Sequence, residues 1–245
     1  MRQRTLLVLV GGIVFVSVGV ATLPASLVTS HLPPELTLEG VSGSVWSGAA
    51  DTVRLRGASL GSASWTAAPL SLLGGRLDYH LEVARPDGFV RGQVGASLGG
   101  TLSGDEIELD LPIAALAGTQ AENGWAGELA GTIHSVRLEH GWPVALTGSF
   151  TASRLQPPGA EVTIGSYAID FDPQAVPGQL TARVRDTDSP LIVRAQLVIK
   201  PDRSFSLEGD VTPRPGAPRA VTQAVAFLGA PDAIGRRQFV LGGSL

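Results

Sequence analysis

The chain has 245 residues, a formal net charge of −4 and only 16% charged residues, where about a quarter is usual. So weak a charge, with no basic patch, argues against a nucleic-acid partner, because such binders displace counterions with clustered Lys and Arg. The absence of cysteine excludes thiolate metal sites, disulfides and a cysteine nucleophile together.

Glycine (31) and proline (17) are too abundant for a helical bundle, since each is costly inside a helix. Yet 44% of residues are hydrophobic and regularly spaced. A turn-rich β protein accounts for both better than disorder does.

The first element in chain order is apolar. Leu6 to Leu23 carries no charge, and as a helix it would run about 27 Å, close to the thickness of a hydrocarbon core. Apolar residues continue through Pro24 and Ala25 to Val28. Arg2 and Arg4 precede the stretch, and the first charge after it is Glu35. By the positive-inside rule the N-terminus is cytoplasmic and the chain from about residue 30 lies outside the cytoplasm. A cleaved signal peptide would have a shorter apolar core and a small-x-small site. Leu23-Pro24-Ala25 fits that poorly, so residues 1–30 read as an uncleaved, single transmembrane signal-anchor.

From residue 31 to 245 the period is two. Strands are expected over 36–40, 52–57 and 60–66. In 75–83, Leu77, Tyr79, Leu81 and Val83 fall on one face and Asp78, His80 and Glu82 on the other. Further strands are expected at 89–98 and at 106–111, where Ile107, Leu109 and Leu111 alternate with Glu106, Glu108 and Asp110. A short helix at 113–117 follows, then strands at 128–138, 144–154, 160–171, 178–185, 191–199 and 205–211. A second helix over 219–228 follows Pro215 and Pro218 and stops at Gly229 before Pro231. A last strand occupies 238–241. Arg85-Pro86-Asp87-Gly88, His140-Gly141-Trp142-Pro143 and Lys200-Pro201-Asp202 supply turns, and short links favour antiparallel meanders. The expectation is a mainly β protein: one N-terminal transmembrane helix, then a single antiparallel, strongly twisted or curved β-sheet domain with one short C-terminal helix. A sandwich, a partly or fully closed barrel and a curved open sheet all fit this alternation.

Chemistry-bearing motifs are sparse. Gly57-Ala58-Ser59-Leu60-Gly61 recurs as Gly95-Ala96-Ser97-Leu98-Gly99. Both match the nucleophile elbow of hydrolases, but that device needs strand, sharp turn and helix, and neither string leads into a helix. His31, His80, His134 and His140 lack zinc spacing. His80 with Asp78, and the carboxylate sets Glu106/Glu108/Asp110, Asp170/Asp172 and Asp186/Asp188, read as wet strand faces, the last pair in a turn. No phosphate-binding glycine motif is present. The chain therefore reads as no enzyme, without cofactor or metal. Trp46, Trp65, Trp125 and Trp142, each beside small or turn-forming residues, read as core plugs or as anchors of a partner interface.

The order of these pieces resembles the type II secretion system protein N family. An apolar N-terminal segment runs into Leu23-Pro24-Ala25, then Leu38-Glu39-Gly40-Val41-Ser42-Gly43-Ser44-Val45-Trp46-Ser47-Gly48. Leu60-Gly61-Ser62-Ala63-Ser64-Trp65 follows, then Pro69-Leu70-Ser71-Leu72-Leu73-Gly74-Gly75-Arg76-Leu77. A later Gly141-Trp142-Pro143 and the closing Gly-Gly-Ser-Leu fit as well. The resemblance implies an accessory inner-membrane component with a periplasmic β-rich domain, assisting export of folded proteins across the outer membrane. It implies as partners the secretin or inner-membrane assembly proteins, and no catalytic residues. The chain also looks distantly like the β-rich modules of envelope lipid-transport proteins. The alternative is thus an anchored lipid-binding or lipid-transfer groove, since a long sheet with one apolar face must cover it with itself, a partner or an acyl chain.

Overall fold

Each period-two stretch pairs with its neighbours in sequence, and most of the described chain enters one sheet. The computed structural model describes residues 23–26, 36–55, 57–97, 99–116, 124–139, 141–159, 162–173, 176 and 178–244. The strands are β1 (Leu36–Glu39), β2 (Ser42–Gly43), β3 (Ser47–Leu55), β4 (Ala58–Ala68), β5 (Arg76–Arg85), β6 (Gly88–Ser97) and β7 (Leu102–Pro112). After helix α1 (Ile113–Leu116) come β8 (Ala126–Glu139), β9 (Trp142–Gln156), β10 (Gly165–Phe171), β11 (Leu180–Asp188), β12 (Leu191–Ile199) and β13 (Ser204–Pro213). Helix α2 (Arg219–Ala226) and β14 (Arg237–Ser244) close the chain, and a 3-10 turn, Pro69–Gly74, links β4 to β5.

The strand order is β1-β3-β4 and then sequential to β14, with β2 pairing β3 off this path. Every pairing is antiparallel, as short turns require. β1 and β14 end the sheet and do not pair with each other. The described sheet is therefore one open meander. Among the described residues neither a two-sheet sandwich nor a closed barrel forms, because all the strands lie in one sheet and nothing joins its first strand to its last.

Alternation makes the two faces unlike. Tyr79, Leu81 and Val83 stand opposite Val94, Gly92 and Val90. Beyond them, Val90 pairs with Leu109 and Leu111 with Leu129, so an apolar face passes from strand to strand. The other face carries cross-strand pairs such as Arg91–Glu108 at 2.6 Å and Arg185–Asp170 at 3.2 Å. Glu106 and Arg154 take positive φ, 47° and 51°, at register irregularities of β7 and β9. Such bulges bend long strands and increase their twist, and β9 has 15 residues where five or six are usual.

No large side chain among the described residues is fully enclosed, as expected of one sheet without a second stacked on it. Two clusters form instead. One joins Ala25, Ala50 and Trp65 with Leu38, Val41, Tyr79 and Leu81 at the N-terminal end. The other joins Tyr167, Val193, Val211 and Val225 with Leu155, Val184 and Phe239 at the C-terminal end.

The anchor expected over residues 1–30 lies outside the described residues except for 23–26. Among the described residues no helix is long and apolar enough to cross a membrane. Leu23 and Ala25, at the end of the expected span, instead bond the bend before β3: Val45 donates to the Leu23 carbonyl and Ala25 to that of Gly43. Ala25 is buried. β3 starts at Ser47, ahead of the expected 52, and β10 starts at Gly165, after the expected 160. Small residues hid the first boundary, since Gly48, Ala49 and Ala50 carry no polar-apolar alternation, whereas Val162-Thr163-Ile164 alternate in sequence without entering the sheet.

Candidate functional site

The four tryptophans occupy different environments. Trp65 projects from β4 into the N-terminal cluster, only 9% exposed. Its indole N–H donates to the Ser44 carbonyl at 3.2 Å. Gly48 makes room for the ring: a Cβ there would sit 2.5 Å from Trp65 Cζ2. Trp46, between β2 and β3, is half-buried, and its carbonyl accepts from the Ala67 amide at 2.6 Å. Trp142 opens β9 with the Arg203 guanidinium 5.7 Å from its ring centre. Its indole N–H is buried without an acceptor among the described residues. Trp125, just before β8, is 47% exposed. Trp125 and Trp142 lie at opposite ends of the β8–β9 hairpin, about 40 Å apart along strands of this length. The sequence placed all four in one category, yet the fold does not gather them.

The carboxylates and serines are also dispersed. Asp78 pairs with Arg76 at 3.2 Å, and Glu106 lies 3.6 Å from His134. Ser59 lies inside β4. Ser97 ends β6, and its Oγ accepts from the Thr101 amide at 3.1 Å. Neither serine stands at a strand-to-helix turn, the geometry an elbow requires. His31 and His140 are outside the described residues. Among the described residues no group of His, Asp or Glu could hold a metal ion.

Asp186 departs from expectation. It lies within β11, not in a turn, and follows Val184 by two residues, so it shares the apolar face. Its side chain is only 9% exposed. One oxygen accepts from the Val193 amide at 2.9 Å, and the other accepts from Arg214. Arg214 Nε also donates to the Ser189 carbonyl at 3.0 Å. Ser189, itself buried, donates to the Ile164 carbonyl at 2.7 Å and accepts from the Leu191 amide at 3.0 Å. The Tyr167 hydroxyl completes the network, 2.8 Å from the Ile164 carbonyl and 3.0 Å from Ser189 Oγ. Burial pushes the Asp186 carboxyl up, but the Val193 amide and Arg214 outweigh it and hold the group below the usual carboxylate range. Each polar group of the network thus has a partner, the condition for keeping it on an apolar face. The signal was present in sequence only as Asp186-Thr187-Asp188-Ser189-Pro190, which reads as a turn.

Beside this network the sheet forms a groove of about 630 Å³. Its floor runs from Ala152 of β9 through Ile169, Val184 and Val193 to Phe239 and Leu241 of β14. Flat strands would separate β9 from β14 by about 24 Å, so lining one groove requires the sheet to curl. Helix α2 covers part of it. Val221 and Val225, four residues apart, point down and are buried, as a one-sided helix requires. Trp125, Pro157 and Val162 stand at one end. Apart from Tyr167, whose hydroxyl is committed to Ile164 and Ser189, the lining side chains carry no polar group save the Trp125 indole N–H. Such a trough suits hydrocarbon and offers little to a sugar, nucleotide or charged peptide.

Comparison with known proteins gives a consistent family. The model of the type II secretion system protein N family matches residues 34–240, from just before β1 into β14. The type II secretion system protein N of Aeromonas hydrophila is 26% identical over an alignment of 260 residues, covering 96% of each chain. That of Vibrio cholerae serotype O1 is 29% identical over 247 residues, covering 92% of each chain. No solved structure matches the chain significantly. With a family match extending over the sheet from β1 into β14, and relatives aligned over nearly their full length, the chain belongs to the type II secretion system protein N family.

Proposed function

We propose that this protein is a non-catalytic, accessory inner-membrane component of the type II secretion system that assists export of folded proteins across the outer membrane through protein contacts. Family membership over residues 34–240 carries this reading. Residues 1–30 hold the chain in the inner membrane as a single span with the N-terminus in the cytoplasm, supported by the uncharged stretch after Arg2 and Arg4. Residues 31–245 then form a periplasmic β-rich domain. Partners are the secretin or the inner-membrane assembly proteins, met by free sheet edges through strand addition or by exposed tryptophan. Of the four tryptophans proposed for that contact, Trp125 is the most available, while Trp65 serves the core. Photo-crosslinking from position 125 in intact cells is the test. Adducts with secretin or inner-membrane secretion proteins are expected; adducts with neither, in cells that are secreting, would end this reading.

A second reading is favoured by one observation, the apolar groove beneath α2. In it the protein holds or passes a lipid acyl chain. A groove of this size lies within the usual range for small-molecule sites, and each buried methylene contributes about 0.8 kcal/mol. Native mass spectrometry of the full chain released from mild detergent is expected to show retained phospholipid. Protein without lipid, still folded by circular dichroism, would remove the groove from the functional account.

A further inference from the structure

Among the described residues the C-terminal edge of the sheet is unguarded. β14 pairs with β13 on one side and with no strand on the other among the described residues, so alternate backbone N–H and C=O groups along its eight residues face outward. Soluble proteins blunt such edges with charge, proline, bulges or brevity. The opposite edge does so: β1 has four residues and carries Glu39, paired with Arg54 at 3.0 Å. β14 reads RQFVLGGS. After Arg237 it has no charge, proline or register break.

The same edge collects exposed apolar side chains. Val240 is 69% exposed and Leu241 54%. Phe239 and Leu241 belong to the apolar face, opposite Gly209 and Leu207. Val240 points the other way, between Gln238 and Gly242, out of a face that is otherwise polar. A large apolar side chain left there by a monomer calls for a contact.

We propose that β14 is a homodimerisation edge: two copies of this chain pair their β14 strands antiparallel about a two-fold axis passing through Val240. In this register each Val240 meets the Val240 of the second copy. Phe239 stands opposite Leu241, an aromatic–aliphatic cross-strand pair. Gln238 faces Gly242 and Arg237 faces Gly243, so no charge opposes a like charge. The two-fold axis is perpendicular to the sheet, so both apolar faces lie on the same side and become continuous. A two-fold interface uses the same patch twice, and a strand uncharged after Arg237 is suited to its own copy because it lacks charges that would specify a different partner. The inference goes beyond the secretion role and bears on its route: a β14 edge paired with its own copy is not free for strand addition, which leaves the secretion contact to exposed tryptophan such as Trp125.

The test is the solution mass of the full chain in mild detergent across a dilution series, by sedimentation, for the wild type, Val240→Lys, Val240→Glu and an equimolar mixture of the two variants. Val240 is exposed and stands opposite Glu208 on β13, so Val240→Lys is expected to keep the wild-type circular dichroism, and the spectrum of Val240→Glu checks that the like charge there leaves β14 paired. The wild type is expected to be a dimer. Each variant should dissociate at least about tenfold more readily, since two like charges then face each other, and the mixture should recover the dimer as a Lys–Glu pair. A wild-type monomer at every concentration, a Val240→Lys dimer as tight as the wild type, or a mixture that fails to recover would each overturn the proposal. Secretin adducts from position 125 alongside any of these would leave the secretion role standing.

Discussion

Asp186 shows how one side chain determines whether an apolar surface tolerates charge. Its oxygens are held by the Val193 amide and Arg214, and Arg214 reaches on to the Ser189 carbonyl. Removing the charge weakens a bond to a charged donor while leaving Arg214 half-exposed, so Asp186→Asn should cost about 1–3 kcal/mol at neutral pH. The folded carboxyl titrates below its ordinary value. Its stabilisation is therefore complete above the unfolded value near 3.9 and is lost as pH falls through the lower folded value. Urea melts across the acid range check this: wild type should lose its advantage over Asp186→Asn there, and a gap that persists unchanged into strong acid would refute the linkage. Trp65 and Gly48 make a similar point without charge. The residue beside the ring must be glycine because Trp65 Cζ2 and the Ser42 carbonyl both lie within 2.6 Å of where a Cβ would stand.

At the scale of elements, α2 depends on its setting. Eight residues are too few for a helix to persist alone in water. Its N-cap is Pro218, with no side-chain cap bond, so packing of Val221 and Val225 onto the sheet supplies its stability. Val225→Asp places a carboxylate against Tyr167, Val193 and Val211 with no partner. The expected outcome is release of α2 with the meander intact: strand circular dichroism preserved, a small loss of helix signal and stronger binding of an apolar dye to the opened groove. Loss of the whole sheet would show that α2 supports more than its own position. The strands behave differently, since each ladder is shared with two neighbours. Phe150 and Phe171 pack edge-on across β9 and β10 at 5.8 Å, one of many contacts that fasten successive strands.

Over the whole molecule, the two core clusters lie toward opposite ends of the meander, and each contains or borders one of the two tyrosines. Burial raises Tyr79 above the ordinary value of about 10. Burial also raises Tyr167, against the lowering effect of Ser189 and with that of Asp186. The stabilisation from these neutral phenols is present below the unfolded value and is lost as pH rises through the folded ones. Ultraviolet titration should therefore show phenolate appearing only above the ordinary midpoint, and Tyr79→Phe and Tyr167→Phe variants would assign it. Phenolate appearing at or below the ordinary midpoint would refute the burial of these two rings.

Alternation in Leu77–Val83, Ile107–Leu111 and Leu191–Ile199 was legible because the period of a pleated strand is imposed by local backbone geometry. So were the turns, and so was α2, bracketed by Pro218 and Gly229. The small-residue start of β3 was not, since Gly48 and the alanines after it carry no pattern. Nor was Asp186, whose acceptor role depends on Arg214, distant in sequence. Sequence alone determined an antiparallel, one-sided β protein, its breakpoints and its family pattern, because these rest on residues close together in the chain. Only the tertiary structure decided that the sheet stays open among the described residues, that it curls into an apolar groove under α2 and that β14 meets no second strand there. Those outcomes depend on accumulated twist, bulges and contacts between strands far apart in sequence, which no local pattern encodes.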